Sequence, residues 1–430
     1  SPFSTLSAER NTLASPKNWS AGGRQSHVEA LHTGPHPNSG ALSVPTVSPK
    51  EVPMSPVSVR PVRTSRERRT FLAFPWRIYH DDPLWVPPLL PERARTIDPQ
   101  RGSFFKRGGE AEFFIAWRDG EPVGTICAAE DKFSNERRDK RECVIGFFEY
   151  AKDYEVAEAL LNRAAEFARG RDLNALWGPF NLDYEDSYGV LLEGRDRPPA
   201  LLCGHTPPYY QGFMDTYGFQ PARGDNIAIA LDLDPDAPAM RRLSRLARRV
   251  RERRDITIRH VDLTRWDEEV DTIHHLLNTA LRHLPDHIGW HRGALEAMLR
   301  PFREIADPEL ILFGEVAGET VAWFPGIKNL NEAFIHANGL RYPWDYLKLW
   351  WHMRRQPECL SIKSGLVLPE YWGSGVIVLL FDEMAKRAMA RGYSWVDSSL
   401  TSVDNPNTPD LAKHMGGKIY KRYRVYRLYL

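Results

Sequence analysis

Two glycines, Gly373 and Gly375, lie between a β-type run of residues and a helical one, and this arrangement can bind an anion. The run Ile362–Leu368 ends at Pro369, and an amphipathic helix is predicted from about Val376. Glycines let the backbone approach a phosphate closely, and the first N–H groups of a helix point towards a bound anion. The pattern therefore predicts an anion-binding site formed by Gly373, Ser374, Gly375 and Val376.

This stretch resembles motif A of the GNAT superfamily of N-acetyltransferases, whose glycine turn holds the pyrophosphate of acetyl-CoA. The superfamily pattern Q/R-x-x-G-x-G/A falls on Trp372–Ile377, so Trp372 replaces Gln or Arg and Ile377 replaces the last small residue. The resemblance implies acetyl-CoA or another acyl-CoA as co-substrate. It further assigns Leu366 and Leu368 of the strand, with the turn, to cofactor binding, and implies that N–H groups of Leu368 and the turn hold the co-substrate and polarise its thioester.

The resemblance also indicates where catalytic residues would lie. The superfamily often has an Asn at the start of the last helix and a proton-donating Tyr seven residues later. These positions fall on Asn405, assigned here to cofactor binding, and on Ala412, which cannot donate a proton. Tyr420 and Tyr423 are the nearest phenols in sequence and become the candidate donors, with packing as the alternative. Asp397, on the next predicted strand, is the candidate general base.

Two further groups of polar residues are candidates for substrate binding. The long segment Gly178–Gly194 carries a polar, acidic cluster suited to a cationic or amine substrate. His283 and His287 stand four residues apart, but Pro285 separates them and no partner with ligand spacing follows, so substrate lining is preferred to a metal. The candidates in the acidic cluster are Asn181, Asp183, Glu185 and Asp186.

The predicted elements that position these residues occur in two copies. Each copy reads strand, helices, hairpin, strand, helix, strand, helix, strand. We therefore predict a mixed α/β fold of two tandem GNAT-like domains, each with a mixed, mostly antiparallel sheet flanked by helices. The predicted parts are a disordered extension (1–53), a first domain (54–232), a basic linker helix (233–255) and a second domain with a degenerate acyl-CoA motif (256–430).

Four segments strengthen the resemblance to paired-domain bacterial proteins of this superfamily. They read G-F-F-E, G-P-x-N, P-P-Y-Y and G-G-x-x-Y-K-x-Y-R, and stand at Gly146–Glu149, Gly178–Asn181, Pro207–Tyr210 and Gly416–Arg424. In the first copy, the turn that follows Phe148 has no glycine and carries Glu149 and Asp153. Because carboxylates repel a pyrophosphate, the first domain is predicted to lack a cofactor site.

Two helices stand out by composition. Met240–Arg254 is rich in arginine and is predicted as a linker helix with a solvated face, the alternative being contact with RNA or the acidic end of a ligand. Tyr342–Arg355 is rich in tryptophan and tyrosine. It is predicted to pack between the domains, the alternative being a groove for an acyl chain.

Length, net charge and cysteine content limit the class of protein. A chain of 430 residues with a formal net charge of +1 suits two globular domains and argues against nucleic acid as a partner. The four scattered cysteines and the absence of a long apolar run predict no metal, no membrane partner and a cytoplasmic location. A homo-oligomer is compatible with the sequence.

Together these features favour an acyl-CoA-dependent N-acyltransferase that acts on a small-molecule amine. One alternative is an aminoacyl or fatty-acyl transferase of the tandem GNAT type. The other is a binding or scaffold protein that keeps the fold without catalysis, which the departures from motif A would explain.

Overall fold

The computed structural model describes residues 55–182, 186–282, 289–304, 306–404 and 416–430. The strands in this part of the chain are β1 (Ser58–Pro61), β2 (Glu110–Arg118), β3 (Glu121–Glu130), β4 (Glu142–Tyr150), β5 (Ala175–Gly178), β6 (Val190–Glu193), β7 (Gln220–Pro221), β8 (Asn226–Asp232), β9 (Ile256–His260), β10 (Ile311–Val316), β11 (Glu319–Lys328), β12 (Cys359–Ile362), β13 (Leu366–Val367), β14 (Trp395–Ser402), β15 (Lys418–Arg424) and β16 (Tyr426–Tyr429). The α-helices are α1 (Ser65–Ala73), α2 (Pro75–Ile78), α3 (Leu90–Thr96), α4 (Ser103–Lys106), α5 (Lys132–Arg138), α6 (Tyr154–Arg169), α7 (Tyr209–Tyr217), α8 (Pro238–Arg253), α9 (Trp266–Ala280), α10 (Arg292–Arg303), α11 (Asn331–Phe334), α12 (Pro343–Met353) and α13 (Val376–Ala390).

The strands form two mixed sheets. The first has the order β1-β2-β3-β4-β5-β16-β7, and the second has the order β6-β15-β8-β14-β12-β11-β10-β9, with β13 beside β11. In each sheet one central pair is parallel, β4 with β5 and β12 with β14. The hairpins β2–β3 and β10–β11 turn at Asp119-Gly120 and Ala317-Gly318, where both residues have positive φ. The predicted fold class, with two tandem mixed sheets flanked by helices, is confirmed.

The two halves of the chain exchange strands. The last strand, β16, joins the first sheet by pairing Tyr426 with Gly178. Conversely, β6 and β8 come from the first half and lie in the second sheet, on either side of β15. The proposed division of the chain at residues 232 and 256 therefore does not coincide with the division between the sheets.

One helix in each half packs against a face of its sheet, α6 mainly on β3 and α13 mainly on β10. The side chain of Asp153 caps α6, whose face with Leu160 and Leu161 is wholly buried. Gly124 on β3 makes room for this helix, because a Cβ there would lie 2.7 Å from Leu160 Cδ1. In the second half, α13 buries Leu380 against the sheet in the same way. Each such leucine contributes about 1.5–3 kcal/mol to stability.

The two helices of unusual composition differ in their packing. The basic helix α8 buries Met240, Leu243 and Ala247, and Arg251 forms an ion pair with Asp382 of α13. The prediction that the aromatic helix packs between domains is wrong. In α12, only Asp345 is buried. The prediction failed because sequence periodicity reveals an apolar face but not what covers it. Among the described helices, none combines the length and apolar character needed to cross a bilayer.

Candidate active site

The glycine turn of the second half is open on one side and covered on the other. Gly373 and Gly375 have φ of +80° and +96°, values that L side chains rarely adopt. A Cβ on Gly373 would meet nothing within 4 Å, whereas a Cβ on Gly375 would lie 2.8 Å from Val250 of α8. At the start of α13, Val376 N–H donates to Ser374 Oγ at 3.3 Å. The turn can therefore accept an anion on the side of Gly373.

The two strand residues assigned to cofactor binding are both partnered within the sheet. Leu366 is buried and pairs with Trp323, and Leu368 donates its N–H to the carbonyl oxygen of Val321 at 2.9 Å. The expected role of the Leu368 N–H in polarising a thioester is thus wrong for this arrangement, because this donor is already used within the sheet. Asn405 lies outside the described residues.

Two of the predicted catalytic residues are hydrogen bonded to each other. Asp397 is completely buried on β14, and its Oδ1 accepts from the Tyr420 hydroxyl at 2.8 Å. Its Oδ2 lies 3.1 Å from Nζ of Lys363, which stands in the break between β12 and β13. Burial alone would lower the pKa of Lys363, but the carboxylate charge raises the pKa above its ordinary value. Since both carboxylate oxygens are engaged, Asp397 is placed to anchor Lys363 and Tyr420.

The third predicted catalytic residue, Tyr423, connects this cluster to a segment of the first half. Tyr423 is fully buried, and its hydroxyl donates to the Gly204 carbonyl oxygen at 3.0 Å. The neighbouring Cys203 places its Sγ 3.9 Å from Lys363 Nζ. Burial raises the pKa of both Tyr420 and Tyr423, so both phenols keep their protons at neutral pH.

The next residue of the same segment, His205, is paired with a carboxylate of the first half. Its Nε2 lies 2.7 Å from Asp82 Oδ2, and its side chain is only 3% exposed. Its buried Nδ1 has no hydrogen-bond partner among the described residues. Burial lowers the pKa of His205, and the bond to Asp82 partly offsets that effect. With its Nε2 proton directed at the carboxylate, the neutral imidazole presents a free lone pair on Nδ1.

Beside His205 lies a partly buried carboxyl group. Oε2 of Glu149, at the end of β4, lies 2.7 Å from the Tyr210 hydroxyl and 2.9 Å from the Tyr79 hydroxyl. The Tyr79 hydroxyl is also 3.0 Å from the carbonyl oxygen of His205. Burial raises the pKa of Glu149 to about 7, although the two tyrosine hydrogen bonds lower it. Tyr79 has one hydroxyl proton but two oxygen neighbours, Glu149 Oε2 and the His205 carbonyl oxygen. When Glu149 is protonated, it can donate to the Tyr79 oxygen while Tyr79 donates to the His205 carbonyl, so both contacts are hydrogen bonds.

Sequence reasoning did not assign functions to His205, Asp82, Glu149 or Lys363. The segments G-F-F-E and P-P-Y-Y were noted, but their spacing gave no reason to connect them. His205 contacts a residue 123 positions earlier, and Lys363 contacts one 160 positions earlier. Such a cluster has no local periodicity, and the exchange of strands between the two sheets assembles it.

The predicted substrate residues that the structure describes have internal partners. Asn181 Oδ1 accepts from the Phe147 N–H at 2.8 Å, which ties its loop to β4. The carboxylate of Asp186 forms an ion pair with Arg93, whose Nη2 lies 2.9 Å from Oδ1. The expected attraction of an amine by Asp186 is therefore wrong here, because Arg93 neutralises its charge. Asp183, Glu185, His283 and His287 lie outside the described residues.

Comparisons with known proteins agree with this architecture. A family model described as Acetyltransferase (GNAT) family matches residues 75–183. The structure is similar to a tandem GNAT protein from the clavulanic acid biosynthesis pathway, with a TM-score of 0.53, 12% identity and coverage of 87% of this chain and 98% of that one. It is also similar to the GCN5-related glucosamine N-acetyltransferase region of a fungal multi-domain GH3 β-N-acetylglucosaminidase, with a TM-score of 0.51, 13% identity and coverage of 90% and 40%. The resemblance to the GNAT superfamily is thereby confirmed.

Two curated relatives extend over most of the chain. A bacterial ceramide synthase of Caulobacter vibrioides is 28% identical, covering 86% of this chain and 97% of that protein. Protein YghO of Escherichia coli K12 is 26% identical, covering 86% and 94%. With the family match, they support an enzyme of the acyltransferase type. The family match lies in the half that contains Glu149 and Asp82, whereas the predicted phosphate turn lies in the other half.

Proposed function

We propose that this protein transfers an acyl group from acyl-CoA to the amine of a long-chain lipid-like acceptor. The observation that carries the proposal is the pairing of buried His205 with the partly exposed Asp82, with Nδ1 of His205 unpartnered among the described residues. An amine must lose a proton when it attacks a carbonyl carbon, and a positioned imidazole is the usual acceptor of that proton. The relative named bacterial ceramide synthase adds support for a lipid amine.

Each residue of the cluster has a distinct role in this proposal. His205 Nδ1 accepts the proton of the acceptor amine, and Asp82 holds the imidazole in the required tautomer. Lys363 supplies a positive charge beside Cys203, where it can stabilise negative charge that develops during acyl transfer. Tyr420 and Tyr423 remain candidate donors of the proton that the leaving thiolate requires.

The turn with Gly373 and Ser374 suits a phosphate of the co-substrate. Gly373 has positive φ and open space beside it, and the turn leads into the N-terminus of α13. When bound there, acyl-CoA would supply an activated thioester carbonyl. The start of α6 is a poorer fit, because the carboxylate of Asp153 already caps it and pairs with Arg118. The first half is therefore proposed to shape the acceptor side.

A row of aromatic side chains favours an acceptor with a hydrocarbon chain. The rings of Trp76 and Trp85 are 5.1 Å apart, and Trp85 stacks on Tyr79 at 4.8 Å. Tyr79 in turn contacts Glu149 and His205 through its hydroxyl. An apolar surface that ends at polar, proton-carrying groups suits a molecule with a long chain and an amine head.

The test measures thiol release from acetyl-CoA and palmitoyl-CoA, with a long-chain amino alcohol or a short amine of the same head group as acceptor. We expect turnover with the long-chain acceptor, and a loss of about 100-fold or more in His205→Gln. His80→Gln is the matched control, since His80 also lies 2.7 Å from a carboxylate, Asp81, but is 67% exposed. Full activity in His205→Gln, or no turnover with any pair, would refute the proposal.

A further inference from the structure

The aromatic helix α12 presents an apolar face to solvent. Trp344, Tyr346, Leu347, Trp350 and Trp351 each expose more than half of their surface, reaching 70% at Leu347. We call these five side chains the aromatic face. Large exposed apolar patches usually mark a site of interaction, because water solvates them poorly.

The five side chains of the aromatic face lie on one side of the helix. With about 100° between successive residues, the five side chains fall within an arc of roughly 160°. Asp345, on the opposite side of the helix, is buried and accepts from the Tyr342 N–H at 3.0 Å. This hydrogen bond caps the start of the helix, and the burial of Asp345 shows that the side opposite the aromatic face is the one turned towards the protein.

The charges around the aromatic face are positive. Arg341, Lys348, Arg354 and Arg355 are all exposed, and buried Asp345 is the only acidic residue between positions 341 and 355. The guanidinium of Arg354 lies 3.4 Å from the centroid of Trp350. Tryptophan and tyrosine collect at the boundary between headgroups and acyl chains, and lysine and arginine bind anionic headgroups.

We propose that α12 is an interfacial helix that docks this protein onto an anionic lipid bilayer, with the aromatic face at the headgroup boundary. A second copy of the chain fits less well, because a two-fold contact through this face would bring the basic side chains of both copies together. An amphipathic helix that lies in the plane of the membrane does not need to span it.

The position of α12 connects the bilayer to the proposed active site. Arg341 lies 5.9 Å from the ring of Tyr342 and 5.1 Å from the ring of Trp76, the first residue of the aromatic row. The Trp76 Nε1 also donates to Asn338 Oδ1 at 2.8 Å, just before α12. The residues before α12 therefore join the aromatic face to the aromatic row, along which a lipid acceptor would reach the proposed site. This step rests on the proposed function, whereas the membrane contact itself does not.

The test is co-sedimentation of the full chain with vesicles of phosphatidylcholine alone or mixed with phosphatidylglycerol. We expect binding to the anionic vesicles, weakened by salt because the charges are exposed. The triple variant Trp344→Ser, Leu347→Ser, Trp351→Ser should lose roughly tenfold or more of this binding. Leu246→Ser is the matched control, because Leu246 is a 45% exposed leucine on the arginine-rich helix α8.

Two results would overturn the proposal. One is binding of the triple variant equal to that of the unchanged protein, with the same thermal midpoint. The other is a dimer in the absence of vesicles that the triple variant converts to monomer, measured by light scattering, without vesicle binding by either protein. None of these assays measures turnover. Failure of membrane binding would therefore not contradict the acyltransferase proposal, and failure of turnover would not contradict membrane binding.

Discussion

Tyr423 donates its hydroxyl proton to the carbonyl oxygen of Gly204 across 3.0 Å, although 219 positions separate them. Gly204 stands between Cys203, which faces Lys363 of the second half, and His205, which faces Asp82 of the first. One short segment therefore presents groups to both halves of the chain. Because the strands are also exchanged between the sheets, we expect neither half to carry out the proposed chemistry alone.

We expect Asp82→Asn to impair acyl transfer less than His205→Gln and to change its pH dependence. The amide can stabilise the wrong imidazole tautomer, which lowers the rate at every pH. Removal of the carboxylate charge also lowers the pKa of His205, so the acidic limb of the kcat profile should move to lower pH. A lower rate with an unmoved acidic limb would instead indicate a structural role for Asp82.

The partly buried carboxyl of Glu149 should make stability depend on pH. Its pKa is about 7 in the folded protein and close to 4.5 when unfolded, so the folded state binds more protons between these values. The stabilisation from the bound proton is complete below pH 4.5 and is lost as the pH rises towards and through 7. Glu149→Gln resembles the protonated group, so it should remove this loss.

Thermal midpoints of both proteins at pH 6 and pH 8 check the expectation for Glu149. The unchanged protein should lose more than Glu149→Gln does over this interval. His205, whose pKa is lowered, destabilises only as the pH falls below about 6.5, so it does not mimic the effect. Equal losses in the two proteins would show that Glu149 is ionised in the folded state.

The ion pair between Lys363 and Asp397 should behave as a buried pair. Asp397→Asn leaves the Lys363 ammonium, whose side chain is 13% exposed, without its carboxylate, which costs about 3–5 kcal/mol. The double variant with Lys363→Met should recover much of this loss, because no buried charge remains. The measurement is urea unfolding of the single and double variants.

An exposed ion pair of the same length provides the control for this series. Lys418 Nζ and Asp232 Oδ2 are also 3.1 Å apart, but their side chains are 75% and 66% exposed. Asp232→Asn should therefore change the free energy of unfolding by less than about 1 kcal/mol. Similar losses of unfolding free energy in Asp232→Asn and Asp397→Asn would mean that the Lys363–Asp397 pair is solvated.

Local patterns predicted the elements well, because hairpins, helices and the glycine turn depend on neighbouring residues. The turns at Asp119-Gly120 and Ala317-Gly318 follow from residues that accept positive φ. The pairing of Tyr426 with Gly178 could not be predicted in this way, since β16 resembles any closing strand. His205 was missed for the same reason: its chemistry comes from residues that are distant in sequence.

The glycine turn gives the sharpest test of the co-substrate site. Gly375→Glu would collide with Val250, so it would confuse lost binding with lost packing. Gly373→Glu places a negative charge into open space at the same turn, where it should repel a phosphate. Gly120→Glu is the matched control, because Gly120 has nearly the same φ, +82°, and equally open space at the β2–β3 hairpin of the first sheet.

Both glycine variants should lose similar stability, since each forces a side chain into left-handed backbone. They should differ in the response to ligand. A ligand present at 100 times its Kd stabilises the folded protein by about 2.7 kcal/mol, which raises the thermal midpoint. We expect acyl-CoA to raise the midpoint of the unchanged protein and of Gly120→Glu, but not that of Gly373→Glu. An equal rise in all three proteins would move the co-substrate away from this turn, and the start of α6 would then have to be reconsidered despite its acidic cap.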